Sequence, residues 1–190
     1  MRSFFHRLRS GDDNARLFNL GIFVILTLGI HYAFRWWAYE QHYQVLGHTV
    51  VSLETLEGMG RIVFLQTLWI VRDLLGIDVA VVGQIIYMPD GGGVAVDGSC
   101  SGLKQMLQFA LLILLLPGAW KHKAWFIPLG ILLIHITNVF RVFGLCMVMW
   151  VDPPYFSLFH DYLFRPLFYV VIFGLWLIWT ERLRPRKSSV

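Results

Sequence analysis

The chain has 190 residues, 57% hydrophobic and 15% charged, with a formal net charge of +4. Soluble domains run at about 45–50% apolar and about 25% charged, and here the surplus lies in long charge-free runs, so the composition implies an integral membrane protein and excludes a disordered chain. Two cysteines exclude a disulfide-stapled scaffold, and basic residues that flank apolar runs instead of forming one patch argue against a nucleic-acid partner and for the lipid bilayer.

In chain order, residues 1–16 form a basic tail with Arg2, Arg7, Arg9 and Arg16. Residues 17–34 carry no formal charge and predict a first span. Residues 36–99 contain seven acids and only Arg61 and Arg72 as bases. Within them Leu53, Leu56, Val63, Phe64, Leu68, Val71 and Leu75 recur at helical spacing. The uncharged part, Ile62–Val71, is short for a span, so an amphipathic helix on the outer surface is expected, with a re-entrant or fifth spanning helix as the alternative. The β-branched runs Val79–Met88 and Val94–Val96, either side of Pro89-Asp90-Gly91-Gly92-Gly93, predict a hairpin with a Gly-rich turn.

Three further spans are predicted at 101–120, 124–150 and 162–180, followed by a second basic tail at 181–190. The fold class is therefore an all-α integral membrane protein: about four transmembrane helices, an outer amphipathic helix and a small β-hairpin, in a single membrane domain over 1–190. Ten of the sixteen Lys and Arg residues lie in the two tails and at Lys121 and Lys123, all on one side of a four-span chain. By the positive-inside rule both termini are cytoplasmic and 36–99 lies outside.

That topology sends three reactive side chains to one leaflet. Cys100, in Gly98-Ser99-Cys100-Ser101-Gly102, sits at or just before a helix start at the outer boundary. A helix N-terminus favours a thiolate, Lys104 adds positive charge one turn later, and Gly98 and Gly102 leave the backbone open to a substrate. Arg141 lies in an otherwise apolar helix, about 25 Å from Ala124 at ~1.5 Å per residue and so close to the outer boundary. A buried arginine is costly and by default faces the bundle interior; Asn138, one turn earlier, is placed to hold the guanidinium. His160 follows the turn Asp152-Pro153-Pro154 at the start of the last span, and imidazole is suited to taking a thiol proton near neutral pH. Asp161 adjoins it, but neighbours on an α-helix point to different faces, which leaves Arg165 as the partner expected for Asp161. Nucleophile, base and cation are the set that thiol acyl transfer requires.

The motifs Cys100-Ser101-Gly102-Leu103, Asn138-Val139-Phe140-Arg141 and His160, in that order, resemble the exosortase and archaeosortase family of membrane-embedded cysteine transpeptidases, over about Ile77–Thr180 and in a compact form. The resemblance implies Cys100 as nucleophile, His160 as acid and base, and Arg141 as third catalytic residue, with no metal and no cofactor. It also implies a bacterial or archaeal cytoplasmic membrane. The substrate would be a membrane-anchored exported protein with a C-terminal sorting signal (a short motif, an apolar helix and a basic cluster), passed to an unknown surface acceptor.

Three rival readings remain at this level. A disulfide between Cys100 and Cys146 would block the nucleophile. His31, His135 and His160 lie in or beside spans, as haem ligands do in helical bundles, though no metal-site spacing is present. The chain also suits a non-catalytic scaffold of an export or polysaccharide system, in which Cys100, Arg141 and His160 would be dispensable.

Overall fold

The computed structural model describes residues 20–33, 53–89 and 92–183. The chain divides into two units, Met1–Gln44 and Val45–Val190. The first contributes one described element, the apolar helix α1 (Leu20–Ala33). Its length of about 21 Å is less than a hydrocarbon core of about 30 Å. The rest of the span expected over 17–34 lies outside the described residues, as do the first basic tail and most of the second.

In the second unit, α2 runs over Leu53–Leu68 and continues as a π-helical turn, Trp69–Leu74. It stops at Gly76, whose φ of +67° an L side chain rarely adopts. The amides of Leu75 and Ile77 close on the carbonyls of Ile70 and Val71, satisfying groups that a helix end leaves unpaired.

Next comes an antiparallel sheet of order β1-β2-β3, with β1 at Ala80–Val82, β2 at Ile85–Tyr87 and β3 at Gly93–Ala95. The single expected hairpin is corrected to two. The run Val79–Met88 reverses on itself, pairing Val82 with Ile85 across the two-residue turn Gly83-Gln84. Gly83 has φ +61°, as tight hairpin turns demand. The second reversal pairs Ile86 with Val94, and Asp90 and Gly91 of its turn lie outside the described residues.

One face of the sheet presents Ile86, Met88, Val94 and Val96, all buried against Val63, Phe64, Leu68 and Val71 of α2 and against Val142 and Cys146 further on. The apolar stripe predicted for 53–75 therefore exists, except that Leu75 is half-exposed and the side chains of Leu53 and Leu56 lie outside the described residues. Protein covers the stripe, where the sequence suggested that it rests on the membrane surface. A period of 3.6 shows that a face is apolar without saying what buries it.

Three helical stretches, Gly98–Leu115, Trp120–Val151 and Pro153–Arg182, are long and apolar enough to cross a membrane. The first contains α3 (Leu103–Leu115), which ends at Leu116 because Pro117 forces the preceding residue into extended geometry. Trp120, expected at the end of that span, instead opens the 32-residue α4 (Trp120–Val151). The third stretch, α5 (Pro153–Arg182), starts nine residues before the expected Tyr162 and contains a π-helical turn at Phe159–Phe164.

Aromatic rings seated on glycines join these helices: Phe109 on Gly130, Phe164 on Gly144, and Trp179 on Gly118. Phe126 bridges Phe109 and Trp179 at ring-centre distances of 5.9 and 5.4 Å. In lipid, apolar surface gains little by meeting apolar surface, so association depends on the close approach that small residues permit.

Lys123 is buried, and its Nζ donates to the carbonyls of Leu114 and Leu116 at 2.8 and 2.7 Å. It caps the C-terminal end of α3, where unpaired carbonyls favour a cation. Lys123→Met should cost about 1–3 kcal/mol, the penalty for stranding buried acceptors. Thermal unfolding in detergent measures it, and Lys121→Met, whose side chain is exposed, is the neutral control.

Candidate functional site

The cysteine loop is built by local hydrogen bonds. Asp97 is extended and its carboxylate accepts from the Ser99 amide at 2.9 Å and from the Ser99 hydroxyl. This starts the 3-10 turn Gly98–Cys100, closed by the Cys100 amide on the Asp97 carbonyl at 3.0 Å. Ser101 is buried, and its hydroxyl accepts from the Leu103 amide. Gly102 then takes φ +72° and precedes the first residue of α3, with Lys104 in that first turn. Cys100 thus lies just before the helix, in its own turn. Its thiol is partly exposed, and the Ser99 hydroxyl is 4.0 Å from Sγ.

Two neighbours hold this loop by close approach. Asn138 is fully buried, and its Nδ2 donates to the Cys100 carbonyl at 2.7 Å. A Cβ on Gly102 would stand 2.9 Å from that same Nδ2, so the glycine answers both the backbone sign and the space. The expectation that Asn138 holds the Arg141 guanidinium is corrected: its donor is used on the loop, and its Oδ1 is buried without a partner among the described residues. From the other side, a Cβ on Gly60 of α2 would come 2.6 Å from the Asp97 carbonyl oxygen and 3.1 Å from the Gly98 nitrogen. Sequence reasoning passed over Gly60; a glycine between apolar positions of an otherwise good helix was the available signal.

Arg141 follows Asn138 by three residues on α4 and is 8% exposed. Its Nη2 is 3.0 Å from Nε2 of His160, and its guanidinium lies 5.7 Å from the Phe168 ring centre. Its Nε is buried with no partner among the described residues. The side chain is therefore turned into the protein, against His160 and Phe168.

His160 stacks on Phe156 at 6.0 Å and 14°. Its Nδ1 is 2.8 Å from Oδ1 of Asp161, which also meets Arg165 at 3.1 Å. The Asp161–Arg165 pair is as expected, but the exclusion of Asp161 from His160 is overturned. Both lie in the Phe159–Phe164 π-turn, where the wider coil brings successive side chains closer in angle than an α-helix does.

The structure thus brings Cys100, Asn138, Arg141 and His160 together beside the C-terminal half of α4. Cys146 is elsewhere, a buried free thiol in the core of α2, the sheet and α4, and Cys100 is free as well. His135, considered above for haem, has its Nε2 2.8 Å from Oε1 of Gln66 on α2.

Comparison with curated proteins and with solved structures yields no match. A family model does match: the transmembrane exosortase, over residues 63–178. That span covers more than half of the chain and includes Cys100, Asn138, Arg141 and His160, so this protein is a member of the transmembrane exosortase family.

Proposed function

We propose that the protein is a cysteine transpeptidase that cuts C-terminal sorting signals of exported proteins at the outer boundary of the cytoplasmic membrane. One observation carries this reading. Asn138 and Arg141, one turn apart on α4, hold the Cys100 carbonyl and the His160 imidazole at 2.7 and 3.0 Å. A single helix face thereby gathers a nucleophile, a base and a buried cation.

In the proposed reaction the Cys100 thiol gives its proton to His160 Nε2 and the sulfur attacks the scissile carbonyl. Arg141 turns from Nε2 to the developing oxyanion, for which its unpaired buried Nε is a donor already free of water. The C–N bond breaks, His160 returns the proton to the leaving amine, and a thioester remains on Cys100. An acceptor nucleophile on the cell surface then attacks the thioester and restores the thiol. No metal or cofactor takes part.

The basic residues at both tails and at the α3–α4 turn support the orientation, with both termini cytoplasmic and the Cys100 end outside. A groove of about 630 Å³ between α2 and α4, lined by Leu65, Trp69, Ile136, Phe140 and Phe143 among others, supports lateral entry of an apolar signal helix.

The test uses, as reporter, an exported protein of the same cell that ends in a short motif, an apolar helix and a basic cluster. Wild-type membranes should shorten it and carry a hydroxylamine-sensitive adduct on Cys100, while Cys100→Ala should accumulate normally and leave the reporter uncut. Reporter processing by Cys100→Ala at the wild-type rate would favour the scaffold reading.

A further inference from the structure

Arginine only donates hydrogen bonds. His160 Nε2, 3.0 Å from Arg141 Nη2, is therefore the acceptor, and the ring proton sits on Nδ1. That nitrogen is 2.8 Å from Asp161 Oδ1, so it donates there. The same carboxylate oxygen meets Arg165 at 3.1 Å, which fixes the position of Asp161. The chain Arg165–Asp161–His160–Arg141 therefore has one consistent set of donors and acceptors.

We propose that Asp161, held by Arg165, is a positioning residue that keeps His160 in the tautomer whose basic nitrogen is Nε2. The proposal rests on the cysteine reading above and adds a fourth group to it. Its force lies in what happens during the reaction. Nε2 is occupied by Arg141 in the resting site and can take the Cys100 proton only once the guanidinium has turned away. At that moment the ring is held by the Nδ1–H to Asp161 bond and by the Phe156 stack. When Nε2 gains the proton, the imidazolium's positive charge is met by the Asp161 carboxylate, while Arg141 and Arg165 are the cations of the same network. An orienting acid on the far nitrogen of a catalytic histidine does this work in other acyl-transfer sites. Asp161 lies on the exposed side of the turn, so the fold does not depend on it.

The test compares full-length wild type, Asp161→Ala, Asp161→Asn, Asp161→Glu and Cys100→Ala in membranes, with the sorting-signal reporter titrated to separate kcat from KM. Asp161→Ala should lower kcat about 10–100-fold, part of the 10²–10⁴-fold that general acid–base catalysis contributes, at unchanged KM and unchanged amount of folded protein. Asp161→Asn, which keeps the shape and loses the charge, should also fall at least about tenfold, while Asp161→Glu should recover most of the loss. Wild-type kcat in Asp161→Ala or Asp161→Asn, with Cys100→Ala inactive, overturns this proposal alone. A loss in Asp161→Ala that Asp161→Glu does not relieve, or that follows a matching loss of folded protein, overturns it too. Cys100→Ala active at the wild-type rate overturns the cysteine reading, and this proposal with it.

Discussion

Arg141→Ala should lose about 10²–10³-fold in reporter turnover, the range found when one preorganised oxyanion donor is removed. The guanidinium is 8% exposed, bonded to His160 Nε2 at 3.0 Å, and carries a second donor, Nε, with no partner among the described residues. A buried unpaired donor is costly to keep, and transition-state charge is what would repay it. The same substitution should not reduce the amount of protein in the membrane. Removing an arginine from an apolar helix relieves an insertion cost that reaches about 2.5–3.5 kcal/mol at a span's centre and is smaller toward its ends, against a cation–π contact with Phe168 worth about 0.5–2 kcal/mol. Arg141→Lys should rescue little, because an ammonium lacks the guanidinium's planar fork of donors and cannot present the Nε–H to the oxyanion. Reporter kcat, normalised to immunoblotted enzyme, is the measurement. Turnover within a factor of three of wild type in Arg141→Ala would remove the arginine from the mechanism.

Gly102→Ala should have the second-largest effect, through geometry alone. Its φ of +72° costs an L residue about 1–3 kcal/mol, and the new methyl group would stand 2.9 Å from Asn138 Nδ2 and 3.0 Å from its Cγ. Relief requires Asn138 to leave the Cys100 carbonyl or the loop to leave α4. Both displace the nucleophile, and a misplacement of about 1 Å can cost about 10²-fold in rate. The expected result is a lowered unfolding midpoint in detergent together with a loss of processing larger than the lost fraction of folded protein. Gly58→Ala, at a glycine with nothing within 4 Å of the added carbon, should leave both measurements unchanged.

Much of the bundle was legible because its signals are local. Charge-free runs mark α3, α4 and α5, but Pro117, the signal that stops α3 at Leu116, was passed over and the span was carried on to Trp120, which opens α4. The sheet was half legible: β-branched runs announced strands, while the turn at Gly83 hid inside an apolar stretch that reads equally well as one strand. The site was legible as a set of residue types at one depth. Its wiring was not. Asn138 was assigned to Arg141 because they share a helix, and it serves Cys100, 38 residues away.

Composition determines, without any coordinates, that this chain belongs in a membrane, and the placement of basic residues predicts one leaflet for Cys100, Arg141 and His160. These properties are additive, set by each residue against solvent or lipid. Tertiary structure alone decided what covers the apolar face of α2, which glycines admit a neighbour, and which partner each polar group takes. Those depend on pairs of residues far apart in sequence. In the case of His160 and Asp161 they depend on a local widening of the helix coil, which turned two neighbours expected to face apart into partners 2.8 Å from each other.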